Sequence, residues 1–205
     1  MSLAPLHLND LRKSGLDDNT IEKSGFESLR PCDIERETGV RCLPVTSAYR
    51  IPFDKGYERF KLFYSQDVPV GAKWPKYIQK SGQPNRLYIP RILPETELQS
   101  DSILYFTEGE KKALKATQDG LPCIGITGLW NWKRKGTDVL IPDFDKINLD
   151  GREIVIVPDS DWLDLGKNNK PKNLKDAVDR FATALMLRGA YVEIAYLPSD
   201  GRHKV

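Results

Sequence analysis

The chain has 205 residues, room for one large domain or for a domain with a small N-terminal piece. Its 40% hydrophobic and 29% charged content is ordinary for a globular protein, and 31 basic against 29 acidic side chains leave a formal net charge of +2 that neither demands nor excludes a nucleic-acid partner. No apolar run reaches the length of a bilayer span and no signal peptide opens the chain, so a membrane partner is not expected. Cys32, Cys42 and Cys123 are scattered, far from His7 and His203, and give no zinc-site spacing; reduced thiols in a cytoplasmic protein are expected.

Residues 1–42 read as a helical N-terminal segment. Leu6, Leu8 and Leu11 mark a first short helix, Gly15 breaks it, and Asp17 is the expected N-cap of a second helix containing Ile21. Nothing there supplies a long basic recognition helix, so docking onto a neighbouring domain is expected rather than DNA reading. Residues 43–100 read as a small β-containing basic subdomain. Prolines stand at 44, 52, 69, 75, 84, 90 and 94, with short β-rich runs at Ala48–Phe53, Phe60–Tyr64 and Arg86–Ile89. Basic residues such as Arg50, Arg59, Lys61 and Lys76 alternate with Tyr57, Phe60, Phe63, Tyr64, Trp74 and Tyr77. A platform for single strands would use that mixture, since aromatic faces stack bases and cations follow phosphates. Surface charge around an aromatic core accounts for the same letters.

Residues 101–205 carry a regular α/β pattern. Apolar strands are predicted at Ile103–Thr107, Cys123–Ile126, Ile154–Val157 and Val192–Leu197, with helices at 110–118 and 174–188. In the last helix Leu174, Val178, Phe181 and Leu185 recur at intervals of four and three, with Asn173 as N-cap and Gly189 as stop. Buried strands alternating with amphipathic helices predict a parallel sheet covered by helices on both faces.

In such sheets ligands collect beyond the carboxyl ends of the strands. The first predicted strand runs into Glu108-Gly109 and the third into Asp159-Ser160-Asp161. Side chains two apart in extended chain point to the same side, so Asp159 and Asp161 pair up, and Glu108 joins them if the strands are neighbours. Clustered carboxylates repel and should take up protons or a cation, and hard oxygen donors suit Mg²⁺ or Mn²⁺. Gly109 admits close approach of a backbone or a phosphate. Lys111 and Lys112 open the next helix and are candidate phosphate contacts, although solvated helix charges look the same. After the second strand, Trp130 and Trp132 stand beside Lys133, Arg134 and Lys135. That run is a candidate grip on a nucleic-acid backbone, with Trp130 read as a plug for the sheet edge.

The order strand, Glu-Gly, helix, strand, then strand, Asp-x-Asp resembles the TOPRIM signature of bacterial-type primases, topoisomerases and some nucleases. Phe106-Thr107-Glu108-Gly109-Glu110 looks like its first motif and Val157-Pro158-Asp159-Ser160-Asp161 like its second. Arg50-Ile51-Pro52-Phe53, Pro75-Lys76-Tyr77-Ile78-Gln79 and Leu87-Tyr88 resemble segments of the bacterial replicative primase core, with Gln79 where the primase has asparagine. Leu11-Arg12-Lys13-Ser14-Gly15-Leu16 and Thr20-Ile21 look like the start of TOPRIM-like proteins encoded beside helicases in phages and plasmids. The resemblance implies a TOPRIM-type, Rossmann-like parallel sheet flanked by helices and preceded by a small mixed helical and β subdomain. It implies catalytic and metal-binding roles for Glu108, Asp159 and Asp161, with Glu108 as metal ligand or general acid/base. Lys76 inherits a template contact. The partners implied are single-stranded DNA or nucleotides, and a replicative helicase.

Lys112 stands where the primase motif has an aspartate, and Asp164 is a candidate substitute carboxylate. The closing residues 197–205 resemble the approach to a further acidic motif, and no zinc module precedes the core, so a domain of a longer replication protein is expected. Three activities fit: Mg²⁺-dependent nucleotidyl or phosphodiester transfer, a non-catalytic module that recruits single-stranded DNA or a helicase, and a TOPRIM nuclease.

Overall fold

Short helices open the chain, and each is bounded by its own sequence. Pro5 starts α1 (Pro5–Arg12) at a position where its missing N–H costs nothing. The Asp17 carboxylate accepts the Thr20 N–H at 2.7 Å to start α2 (Asp18–Ser24), and Gly25 ends it at φ +70°. A third helix, α3 (Pro31–Thr38), follows the short strand β1 (Glu27–Leu29). The computed structural model describes residues 3–39, 44–65, 74–160, 162 and 174–197. The chain divides into two compact units, Met1–Pro84 and Asn85–Val205. Where the sequence suggests divisions after 42 and 100, β1 pairs with a strand beyond residue 43, and residues 85–100 group with the second unit.

In the first unit β1 joins β2 (Val45–Pro52), β3 (Glu58–Tyr64) and β4 (Tyr77–Gln79) in an antiparallel sheet of that order. Alternation sorts the side chains. Ala48, Phe60 and Leu62 pack with Ile34 of α3 on one face. Tyr49 and Ile51 are buried on the other, where the His7 ring of α1 lies against Tyr49 and Phe63. The first helix is therefore fastened to the sheet of its own unit. His7 Nδ1 meets Ser28 Oγ at 2.7 Å and Nε2 meets Ser47 Oγ at 3.1 Å, while the Tyr49 hydroxyl donates to Asp10 at 2.9 Å.

The second unit holds four parallel strands in the order β6-β5-β7-β8: β5 (Leu104–Glu108), β6 (Cys123–Ile126), β7 (Glu153–Val157) and β8 (Tyr191–Ile194). A four-residue helix, α4 (Thr96–Gln99), precedes β5. Between β5 and β6 runs α5 (Glu110–Gln118), and α6 (Leu174–Met186) precedes β8. Register places Leu104, Phe106, Ile124, Ile126, Ile154 and Ile156 on one face, where they form the core with Val178, Phe181 and Leu185 of α6. Trp132 is fully buried in this core and stacks on Phe181 with centroids 5.4 Å apart. On the face toward α5, a Cβ on Gly125 would sit 3.3 Å from Ala113 Cβ and 3.0 Å from the Gly109 carbonyl oxygen, so only glycine admits the helix this closely.

The expected strand Arg86–Ile89 reduces to a single antiparallel bridge, in which Tyr88 and Gly125 exchange two backbone hydrogen bonds of 2.8 Å. Asp143 fixes the start of that segment. Its buried carboxylate accepts from Arg86 Nε at 2.8 Å and from the Leu87 N–H at 2.9 Å. Arg152, fully buried ahead of β7, donates to the carbonyls of Glu97, Leu98 and Ser102 at 2.7, 3.2 and 2.7 Å.

Candidate functional site

The carboxyl ends of β5 and β7 are neighbours, as the acidic-cluster reading requires. Thr107 is in register with Val157, so Glu108 ends β5 level with Pro158, and Asp159 follows one residue beyond. Apolar residues drive both strands into the core and leave Glu108 and Asp159 at the edge. Gly109 then turns the chain at φ +96°, a conformation that residues with a Cβ rarely adopt, and its N–H donates to the Ile126 carbonyl at 2.8 Å. That turn aims α5 away from the edge, with Glu110 at its first position, where the helix dipole favours an acidic group. Glu110 is buried and near Tyr88, whose phenol pKa is raised by burial first and then by Glu110.

Lys112, the third residue of α5, forms an ion pair with Asp159. The Asp159 side chain is 18% exposed and that of Lys112 44%, so the pair sits at the rim of the edge rather than in open solvent. Lys111 beside it is half-buried. Trp162 reaches back to the end of β7: its N–H donates to the Asp159 carbonyl at 3.0 Å and its side chain is buried, with its ring 5.4 Å from that of Tyr196. Sequence reasoning passed over Trp162; a large aromatic directly after Asp-x-Asp was its only sign. Asp161 and Asp164 lie outside the described residues. Among the described residues no group of three His, Cys, Asp or Glu side chains is arranged to hold a metal ion.

The donor chemistry nevertheless suits a hard divalent ion. Mg²⁺ commonly takes only one or two carboxylates from a protein and fills its shell with water and substrate phosphate. Glu108 and Asp159 on adjacent strand ends are such a pair of oxygen donors, and Lys112 is a cation already seated on one of them.

The basic loop after β6 separates into unlike parts. Lys133 Nζ bonds to Asp138 at 2.6 Å and lies 4.6 Å from the centre of the Trp130 ring. Hydrogen bonds from Lys133 and Arg180 hold the Asp138 carboxyl below the usual carboxylate range. Lys133 therefore stitches its own loop. Arg134 and Lys135 are exposed. Half-buried Trp130 packs against the core that Trp132 plugs. In the first unit Lys76 is exposed, and the mixed basic and aromatic run divides between two roles. Tyr57 and Phe60 are buried, whereas Lys61 lies 4.7 Å and Arg59 5.5 Å over the half-buried ring of Tyr77. Arg50 is spent on ion pairs with Glu27, Glu37 and Glu58 at 2.9, 3.3 and 3.2 Å.

An α/β fold with four parallel strands, helices flanking them and a small antiparallel sheet ahead is that of the TOPRIM-containing catalytic core of bacterial primases. The Aquifex aeolicus primase, in its zinc-binding and RNA polymerase domains, superposes with a TM-score of 0.63 at 13% identity, covering 96% of this chain and 51% of that one. A DnaG primase catalytic domain bound to single-stranded DNA gives 0.58 at 14% identity, with 98% and 68% covered. A primase domain from Pseudomonas aeruginosa gives 0.58 at 12%, with 95% and 64% covered. The chain thus spans about half the length of the Aquifex structure, and what it shares with all three is the fold. Its residues 97–204 match a domain of unknown function, DUF3854, and the chain belongs to that family. No curated protein matches it.

Proposed function

We propose that this chain is a primase-like module of DNA replication that performs Mg²⁺- or Mn²⁺-dependent nucleotidyl or phosphodiester transfer on single-stranded DNA. The observation that carries the reading is the placement of Glu108 and Asp159 at the carboxyl ends of adjacent parallel strands in a fold shared with primase cores. Glu108, Asp159 and Asp161 would hold the metal, which when bound neutralises charge developing on phosphate. Glu108, ending its strand beside the Gly109 turn, serves as ligand or as proton acceptor. Exposed Arg134 and Lys135, on the loop that leaves β6 at this same edge, contribute point charges for a nucleic-acid backbone, and exposed Lys76 does so in the first unit. The resemblance of residues 11–21 to plasmid and phage proteins supports a cytoplasmic replication protein of that kind, acting beside a helicase.

The test is metal-dependent primer synthesis on single-stranded DNA by the wild type, Glu108→Gln and Asp159→Asn. Activity in the wild type and its loss in both variants, with DNA binding retained, supports catalysis. The ion pair from Lys112 to Asp159 favours a second reading, a module that binds single-stranded DNA without turning it over. In that case the wild type makes no primer and leaves DNA uncut, but binds it with a steep salt dependence. Metal-dependent cleavage without synthesis would instead identify a nuclease.

A further inference from the structure

We propose that Lys112 is a built-in competitor for the divalent ion at Asp159 and sets how tightly this edge takes a metal; the proposal rests on the metal-site reading above. Three observations carry it. The first is position. The turn at Gly109 starts α5 directly at the end of β5, and Lys112, the third residue of that helix, reaches across to the end of β7, where its ammonium pairs with Asp159. A lysine is thereby matched to one carboxylate of the pair that strand register brings together.

The second is charge. Two carboxylates on adjacent strand ends attract a divalent cation because they repel each other. An ammonium seated on one of them cancels a unit of that negative charge at contact distance, and a metal ion arriving at the same oxygen meets both an occupied lone pair and a like charge. The third is exposure. With the lysine side chain 44% and the aspartate 18% exposed, the pair is of the partly solvated kind that is weak and easily exchanged. Lys112 is therefore displaced by the metal rather than excluding it. A resting edge that holds its own cation stays ordered without metal and fills only when ion concentration, or a phosphate that brings its own negative charge, tips the exchange. Once displaced, the ammonium lies one helical turn from the edge, within reach of a phosphate oxygen.

Mn²⁺ alone is the probe, its binding to the 205-residue chain followed by loss of the free-ion electron paramagnetic resonance signal. Circular dichroism confirms that each variant is folded. Lys112→Ala should bind Mn²⁺ about threefold to fivefold more tightly than the wild type, because the ion no longer has to displace a partly exposed ion pair from Asp159. Lys112→Arg, which restores the cation, should bind like the wild type, and Asp159→Asn should lose most of the binding. If Asp159→Asn loses Mn²⁺ while Lys112→Ala binds it no more tightly than the wild type, the competitor role is overturned and the metal-site reading stands. If no variant binds Mn²⁺, or Asp159→Asn binds it as well as the wild type, both fall. Binding that appears only in Lys112→Ala supports the proposal in its strongest form.

Discussion

Arg152 offers the sharpest test of how the second unit is held together. It is fully buried, and its guanidinium spends its N–H groups on three backbone carbonyls, those of Glu97, Leu98 and Ser102. These carbonyls belong to α4 and to the turn that leads into β5, so one side chain fixes the approach to that strand. Burial pulls the pKa of the guanidinium down from its ordinary value, with Glu97 and Asp101 opposing the shift. Replacing Arg152 with Met fills the space but strands the carbonyls of Glu97 and Ser102, while that of Leu98 keeps the Asn148 N–H at 2.8 Å. Hydrogen bonds from a charged donor contribute about 1.5–3 kcal/mol each. Much of that sum is offset because the variant no longer buries a charge, a cost of several kcal/mol. A net loss of about 3 kcal/mol remains, near the upper end of ordinary single substitutions. For a unit of this size that corresponds to a fall of about 10 °C in Tm. Tryptophan fluorescence reports the transition, since Trp130, Trp132 and Trp162 all lie in the second unit. Arg152→Lys keeps the charge but loses the planar fork, and should lose about half as much. A fall below about 3 °C for Arg152→Met would refute the reasoning, because the carbonyls would then be satisfied without the guanidinium.

Gly125→Ala puts a methyl 3.0 Å from the Gly109 carbonyl oxygen and 3.3 Å from Ala113 and Tyr88 Cβ atoms, so α5 must move outward. The expected cost is about 1–3 kcal/mol in urea denaturation, and because Gly109 lies between Glu108 and α5 the variant should also bind Mn²⁺ more weakly. In the first unit, burial lowers the pKa of His7 below 6.5, only partly opposed by Asp10. The unfolded chain then takes up a proton before the folded one does, so the contribution of neutral His7 is fully present above pH 6.5. It falls away as the pH drops from there through the lower folded-state pKa. Urea titrations at descending pH should show this loss, and His7→Gln should flatten it.

What could be read from the sequence was what depends on neighbours along the chain. Asp17 caps α2 because its carboxylate and the Thr20 N–H are three residues apart. The regular spacing of Leu174, Val178, Phe181 and Leu185 gave α6, which ends at Met186, two residues before the predicted limit. The strand at Glu153–Val157 and its acidic end followed from an apolar run and the letters after it. What could not be read depends on partners far apart. Strand β4 is three residues long and owes its place to pairing with β3. The Arg86–Ile89 run has the composition of a strand, but Asp143 and Gly125 hold it to one bridge. Arg50 looks like one more surface cation until three glutamates from separate segments close around it.

The acidic edge shows both situations at once. Glu108 and Asp159 were legible because a parallel sheet delivers its strand ends to one side whatever the loops do. Lys111 and Lys112 were not separable by sequence, since both open the same helix and both fit a phosphate contact. A rotation of about 100° per residue separates them in the folded chain. It turns Lys112 toward the end of β7 and onto Asp159, and leaves Lys111 half-buried beside it. Charge at this edge is therefore set by a helix phase as much as by the strand-end carboxylates. Lys111→Ala removes the same unit of charge from the same helix but leaves the contact of Lys112 with Asp159 in place, so it should leave Mn²⁺ affinity near that of the wild type while Lys112→Ala raises it. Mn²⁺ affinity raised as much by Lys111→Ala as by Lys112→Ala would mean that net charge, rather than contact with Asp159, governs the site.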